Sequence, residues 1–126
     1  MAYGPQENID RLHRFVYEVL NTCNLDKISE TVSPDFARHD AVRVENGHDD
    51  MRRFLIERHA DYDKLEWHLD QCVALGNYVT AKVSATGIHR KSGKHVTGQG
   101  LALARFENGL LAEVTSEFDR SNHPEQ

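Results

Sequence analysis

Apolar residues early in the chain recur every three or four positions. Ile9, Leu12, Val16, Val19, Leu20 and Cys23 share one face of a predicted helix, and Asn8 stands where an N-cap would open it. A second, shorter helix is predicted from Asn24 or Asp26 through Leu25, Ile28 and Val32. Pro34 ends it, because proline cannot continue a helix and disfavours the helical state for Ser33. In the following FARHDAVRVENG, Val42 and Val44 alternate with Arg43 and Glu45 before an Asn46-Gly47 turn, the pattern of a short strand. A third helix, from about His48 to Tyr62, carries Met51, Phe54, Leu55 and Tyr62 on one stripe. Asp49 and Asp50 occupy its first turn, where the helix dipole favours anions.

From Leu65 the period changes to two, and turn signals separate four runs: 65 to 75, 78 to 89, 95 to 107 and 110 to 119. Gly76-Asn77 and Asn108-Gly109 suit two-residue hairpin turns, and Lys91 to Lys94 with Gly93 a longer loop, so the second half reads as an antiparallel meander. Gly87, Gly98 and Gly100 inside long strands predict strong curvature, and a curved sheet beside three helices makes a cone. The last run, in FENGLLAEVTSEFD, carries Glu113, Ser116, Glu117 and Asp119, polar groups on both faces of an element expected to be largely buried. Such a strand is a candidate cavity wall. The polar tail from Arg120 to Gln126, with Pro124, is expected to fray.

Composition narrows the function classes. A chain of 126 residues, 39% hydrophobic, can bury enough surface for one core without disulfides or a structural metal. The formal charge of -5 and the absence of a basic tract argue against nucleic acid as a partner. The start, MAYGPQENIDRLH, lacks a signal-peptide layout and no apolar run approaches a membrane span, so a cytoplasmic protein without a membrane partner is expected. Cys23 and Cys72 read as two reduced thiols packing as small apolar groups. His39, His48, His68, His89 and His95 show no metal-ligand spacing, and Gly98-Gln-Gly100 lies in a strand with no helix after it, so neither a metal nor a nucleotide cofactor is expected.

The NLDKISETVSPDF pattern, the following RHD, NGHDDMRRFL, the hairpin VALGNYVTAKVSATGIH and FENGLLAEVTSEFD occur in that order. Together they resemble the SnoaL-like polyketide cyclase family of the nuclear-transport-factor-2-like superfamily, over about residues 8 to 119. The resemblance implies a single α+β domain over 1–126, with its core at 8–119 and a flexible tail at 120–126. Its architecture would be a cone of three N-terminal helices on a strongly curved, mainly antiparallel sheet, with a deep apolar pocket between them and a homodimer built on the outer sheet face. Ketosteroid isomerase, epoxide hydrolases, dehydratases, cyclases and non-enzymatic binding modules share this superfamily. Counting from the last turn places the family's general acid/base aspartate at Ser116 and its accompanying histidine at Ala102, so both usual groups are absent. Alternation sets Gly98, Gly100, Ala102 and Ala104 beside Val114, Ser116 and Phe118 on one smooth, almost apolar face.

His39, between Arg38 and Asp40, follows the second helix where the resemblance places a polar residue at the pocket mouth. Its open roles are proton transfer or hydrogen bonding to a ligand oxygen with Asp40 orienting the ring, or a structural one, capping a turn or pairing with Asp40 on the surface. Glu113, Glu117 and Asp119 share the parity opposite to Ser116 and face away from the pocket, unless a bulge near Thr115 or Ser116 brings Glu117 inward. Tyr17, Leu20 and Trp67 are candidate pocket walls or plain core, with Arg38, Ala102 and Ser116 completing the ligand-binding set. Two functions stay open: a cofactor-independent isomerase, cyclase or hydrolase acting on a small hydrophobic oxygenated molecule, or a non-catalytic ligand-binding or dimerisation module.

Overall fold

Proline at the first helical position loses nothing, since that N–H would have no partner in any case. The first helix, α1 (Pro5–Arg14), accordingly opens at Gly4-Pro5 and not at Asn8, which sits inside the helix, 1% exposed, accepting the Arg11 Nη1–H at 3.0 Å on its side-chain oxygen. The computed structural model describes residues 4–40 and 44–119. Beyond α1 the chain continues in a wider π-helical winding, Phe15–Leu20, which buries Phe15, Val16 and Val19. A 3-10 turn, Leu25–Lys27, then leads into the short α2 (Ile28–Thr31).

The second helix stops earlier than Pro34 predicts. Val32 is already extended, with φ -120° and ψ 135°, and strand β1 (Val32–His39) runs straight through the proline. It tolerates Pro34 because the pairing of β1 with its neighbour is irregular between Val32 and Ala37, so no ladder bond is required there. Strand β2 (Val44–Asn46) pairs antiparallel with Ala37–His39. Val42 and Arg43, expected in this strand, lie outside the described residues, as does the tail from Arg120 to Gln126. Helix α3 (Gly47–Asp61) begins where Asp50 Oδ2 accepts the Asn46 N–H at 2.8 Å, a bond that holds the Asp50 carboxyl below its usual pKa.

Strands β3 (Tyr62–Leu75), β4 (Tyr78–His89), β5 (His95–Glu107) and β6 (Leu110–Asp119) form the antiparallel meander that the turn signals predict, with β3 starting three residues early, directly out of α3. Asn108 and Gly109 both have positive φ, 52° and 81°, as a type I′ turn requires. The sheet order is β2-β1-β6-β5-β4-β3, and the β1–β6 pair is its parallel contact. Register shifts in β3, beside Lys64 and Gln71 at positive φ, and between Arg105 and Phe106 curl the sheet around the helices. Val19, Ile28, Val32, Leu55, Val79 and Leu111 are fully buried between the two layers. The result is an α+β fold of three helical segments on a six-stranded, mostly antiparallel, curled sheet. Among the described residues no helix is long and apolar enough to cross a membrane.

Candidate functional site

The inner face of β5 is built from residues too small to fill the curve of the sheet. Ala102 pairs with Ser116, Ala104 with Val114 and Gly100 with Phe118, all on the side facing the helices. Leu12, Phe15, Val16 and Leu20 close over this hollow from the first helix, and Met51 and Phe54 from α3. The space beneath them is a lobe of about 90 Å³ whose charged or hydroxyl-bearing lining residues, among the described residues, are Arg38 and Ser116. A second lobe of about 90 Å³ lies toward the open end of the cone, between α3 and strands β3 to β5, and adds Arg58, Thr86 and Thr97. Arg38, Phe54, Trp67 and Phe118 line both lobes and so form the neck between them.

Gly100 is what lets Phe118 lie there. A Cβ at this position would meet the Glu117 carbonyl oxygen at 2.2 Å and Phe118 Cγ at 2.9 Å, so only glycine permits the approach. Ser116 is 7% exposed, and its hydroxyl has no hydrogen-bond partner among the described residues. Its Oγ is not among the fully buried side-chain atoms left without a partner, so it borders the open space of the lobe, where a ligand oxygen or nitrogen would meet it.

Arg38 is the charged residue of the neck. Its guanidinium carbon stands 4.1 Å from the centre of the Phe54 ring, Nε donates to Glu45 Oε1 at 2.6 Å, Nη2 also meets Glu45, and Nη1 lies 3.4 Å from Asp40 Oδ2. The side chains of Arg38, Glu45 and Asp40 are 14%, 14% and 4% exposed, so this is a part-buried network, not a surface pair. Arg58 approaches the same ring at 5.3 Å. The contacts with Glu45 and Asp40 hold Arg38 in place as a donor.

Strand parity decides where the other candidates lie. Phe36 and Arg38 face the cavity, so His39 faces the outer side, where Nε2 lies 3.2 Å from Glu113 Oε2. Glu113 also accepts from Arg105 Nε at 3.2 Å, and Arg105 Nη1 from there reaches Glu107 at 2.6 Å. Those two carboxylates raise the Arg105 pKa, Glu107 most strongly. The expected pairing of His39 with Asp40 is replaced by His39 with Glu113 and Asp40 with Arg38. Glu113, Glu117 and Asp119 follow the outer parity, and the bulge falls at Ala112, nearer the turn than Thr115 or Ser116.

Leu20, Arg38, Trp67, Ala102 and Ser116 converge on the deep lobe. Tyr17 does not line it: 37% exposed, its hydroxyl accepts the Leu69 N–H at 2.9 Å on the flank of β3. Phe54 and Phe118 reach the neck although the sequence marked them only as a helix stripe and a strand face; Arg58, two turns of α3 from Met51, gave no such signal. Burial pushes both thiol pKa values up, at Cys72 with help from Asp70, and Cys72 Sγ sits 3.8 Å from His13 Nε2. Among the described residues no three His, Cys, Asp or Glu side chains group as metal ligands.

A family model described as a SnoaL-like domain matches residues 12–114. No curated protein matches the sequence. Among solved structures, a "Putative SnoaL-like polyketide cyclase" from Jannaschia sp. CCS1 superposes with a TM-score of 0.82 at 18% identity, over 91% of this chain and 87% of that one. TsrD from Streptomyces laurentii gives 0.82 at 19% identity, over 94% and 93%. An LEH-like epoxide hydrolase from M. tuberculosis gives 0.78 at 14% identity, over 94% and 86%. At these identities the likeness is one of fold.

Proposed function

The chain belongs to the family of SnoaL-like domains, and on that footing we propose that it is a small-molecule pocket protein that holds a hydrophobic, oxygenated compound between helices and sheet. The observation that carries this reading is the unpartnered Ser116 hydroxyl in an otherwise apolar, aromatic-walled lobe. An oxygenated ligand would satisfy that hydroxyl while its carbon body fills the space. Trp67 is the sole tryptophan and stands at the neck, so its emission reports occupancy. Native mass spectrometry of the purified protein should reveal a retained small molecule, released on denaturation, whose return changes Trp67 emission. A protein that carries nothing and whose emission is indifferent to every hydrophobic oxygenated compound offered would sink the proposal.

A second reading, a cofactor-independent isomerase, cyclase or hydrolase, draws support from the Asp40–Arg38–Glu45 network, which sets carboxylates and a fixed guanidinium beside the neck. The superposed structures whose names include a cyclase and an epoxide hydrolase favour it. Against it, among the described residues no carboxylate or imidazole lines the deep lobe. Conversion of the retained compound, as opposed to its simple release, separates the two readings. For assembly we propose a homodimer through the outer sheet face, where Leu75, Leu101 and Val73 are 82%, 68% and 63% exposed. The setting proposed is the cytoplasm, supported by the two free thiols packed against the core.

A further inference from the structure

We infer that the ligand is a compact one- or two-ring compound, carrying a carbonyl or hydroxyl oxygen for Ser116 and a second oxygen function for Arg38, and that the aromatic neck excludes larger fused-ring systems. This rests on the ligand-binding reading above and adds to it the size and the polar pattern of what is bound.

Volume makes the first argument. Each lobe holds about 90 Å³, and the two together about twice that. Sites for drug-sized ligands run to roughly 300–1,000 Å³, whereas a cavity of about 150 Å³ accepts a benzene ring. The neck makes the second. Phe54 approaches from α3, Trp67 from β3 and Phe118 from β6, with 6.4 Å between the Phe54 and Trp67 ring centroids. A flat ring can stack against these walls, but a rigid body of three or four fused rings must displace at least one of them. Phe118 is poorly placed to yield, because its ring is seated against Gly98 and Gly100.

Polar groups fix the pattern. Arg38 on β1 pairs with Val114 on β6, and Ser116 lies two residues further along β6 on the same face. Two residues along and one strand across put their Cα atoms on the order of 8 Å apart, a separation that one substituted ring can bridge. Arg38 is already neutralised by Glu45 and Asp40, so a neutral oxygen suits it as well as a carboxylate does. The unpartnered Ser116 hydroxyl can donate to a carbonyl or accept from a hydroxyl.

The experiment titrates the protein, monitored by Trp67 emission, with 4-hydroxyacetophenone, 1-tetralone, 1-hydroxyanthraquinone and a tetracyclic hydroxyquinone. Calorimetry repeats each titration, since the quinones absorb. Expected is binding of the one- and two-ring compounds at least tenfold tighter than of the three- and four-ring ones. Ser116→Ala should weaken 4-hydroxyacetophenone about three- to tenfold, the worth of one hydrogen bond, and leave the oxygen-free control ethylbenzene unchanged. Phe118→Ala should join the lobes and erase the size preference; Phe54→Ala, on a different element, serves the same purpose if the first variant does not fold. Equal or tighter binding of the tetracyclic compound overturns the inference while leaving the ligand-binding reading intact. An unaltered 4-hydroxyacetophenone affinity in Ser116→Ala overturns the polar pattern, and silence from all four compounds overturns the inference, the ligand-binding reading falling with it only if the native protein also carries no retained molecule.

Discussion

Ser116 and Thr31 are both buried hydroxyls, 7% and 9% exposed, yet they stand in opposite situations. Thr31 Oγ1 donates to the Lys27 carbonyl at 2.8 Å, whereas Ser116 faces the cavity without a partner. Removing a satisfied buried hydroxyl leaves an orphaned acceptor, while removing one that only borders the cavity strands no partner. Thr31→Val should therefore destabilise the fold by about 1 kcal/mol. Ser116→Ala should leave the stability of the ligand-free protein within roughly 0.5 kcal/mol. Thermal melts of the two variants check this, and a lowered Tm in Ser116→Ala would mean that its hydroxyl has a structural partner. The shared face of Ser116 and Ala102 was legible only through the family resemblance: counted from the Asn-Gly turn alone Ala102 would pair with Thr115, and the bulge at Ala112, which period does not reveal, shifts the register by one. The first strand offered no anchor either: Pro34 hides its start, and the irregular pairing after Val32 leaves no frame in which to see that Arg38, not His39, turns inward.

Among the elements, the β5–β6 hairpin shapes the cavity. Its two inner glycines differ in what a methyl group would meet. At Gly98 an added Cβ would lie 3.6 Å from Phe118 Cδ1, an ordinary contact; at Gly100 it would lie 2.2 Å from the Glu117 carbonyl oxygen. Backbone cannot yield as a side-chain tip can, so Gly100→Ala must spread the ladder. Gly100→Ala should cost about 1–3 kcal/mol and loosen Phe118, while Gly98→Ala stays within roughly 0.5 kcal/mol. Urea unfolding measures both, and equal losses would refute the distinction. The sequence marked these glycines as points of curvature; which one is indispensable depends on the facing carbonyl, a contact across strands that composition and period do not encode. Strand β1 shows the same limit: the helix expected through Val32 and stopped by Pro34 ends at Thr31, and Pro34 lies inside the strand that follows.

At the scale of the molecule, the curl of the sheet leaves one face covered by helices and the other bare. Across the bare face runs a row set by the strand register: Lys82 on β4 beside Leu101 on β5, and Leu101 beside Glu117 on β6. Asp70 on β3 pairs with Lys82 at the end of this row; in the proposed dimer a two-fold axis through Leu101 would bring Lys82 of one copy onto Glu117 of the other. Tyr78 and Leu103, 44% and 39% exposed, extend the apolar part, and His39, Glu113 and Arg105 form a polar margin on β1, β6 and β5. Sedimentation should give twice the chain mass of 14.4 kDa. Leu101→Arg should yield a folded monomer by setting like charges against each other at the axis. Lys82→Glu alone should weaken the dimer at least tenfold and Glu117→Lys likewise, but the double exchange should restore it, since swapping both signs preserves every cross-axis pair. A wild-type monomer removes the dimer, and a double exchange no better than its singles removes this axis, because a general charge effect would accumulate where a paired contact cancels.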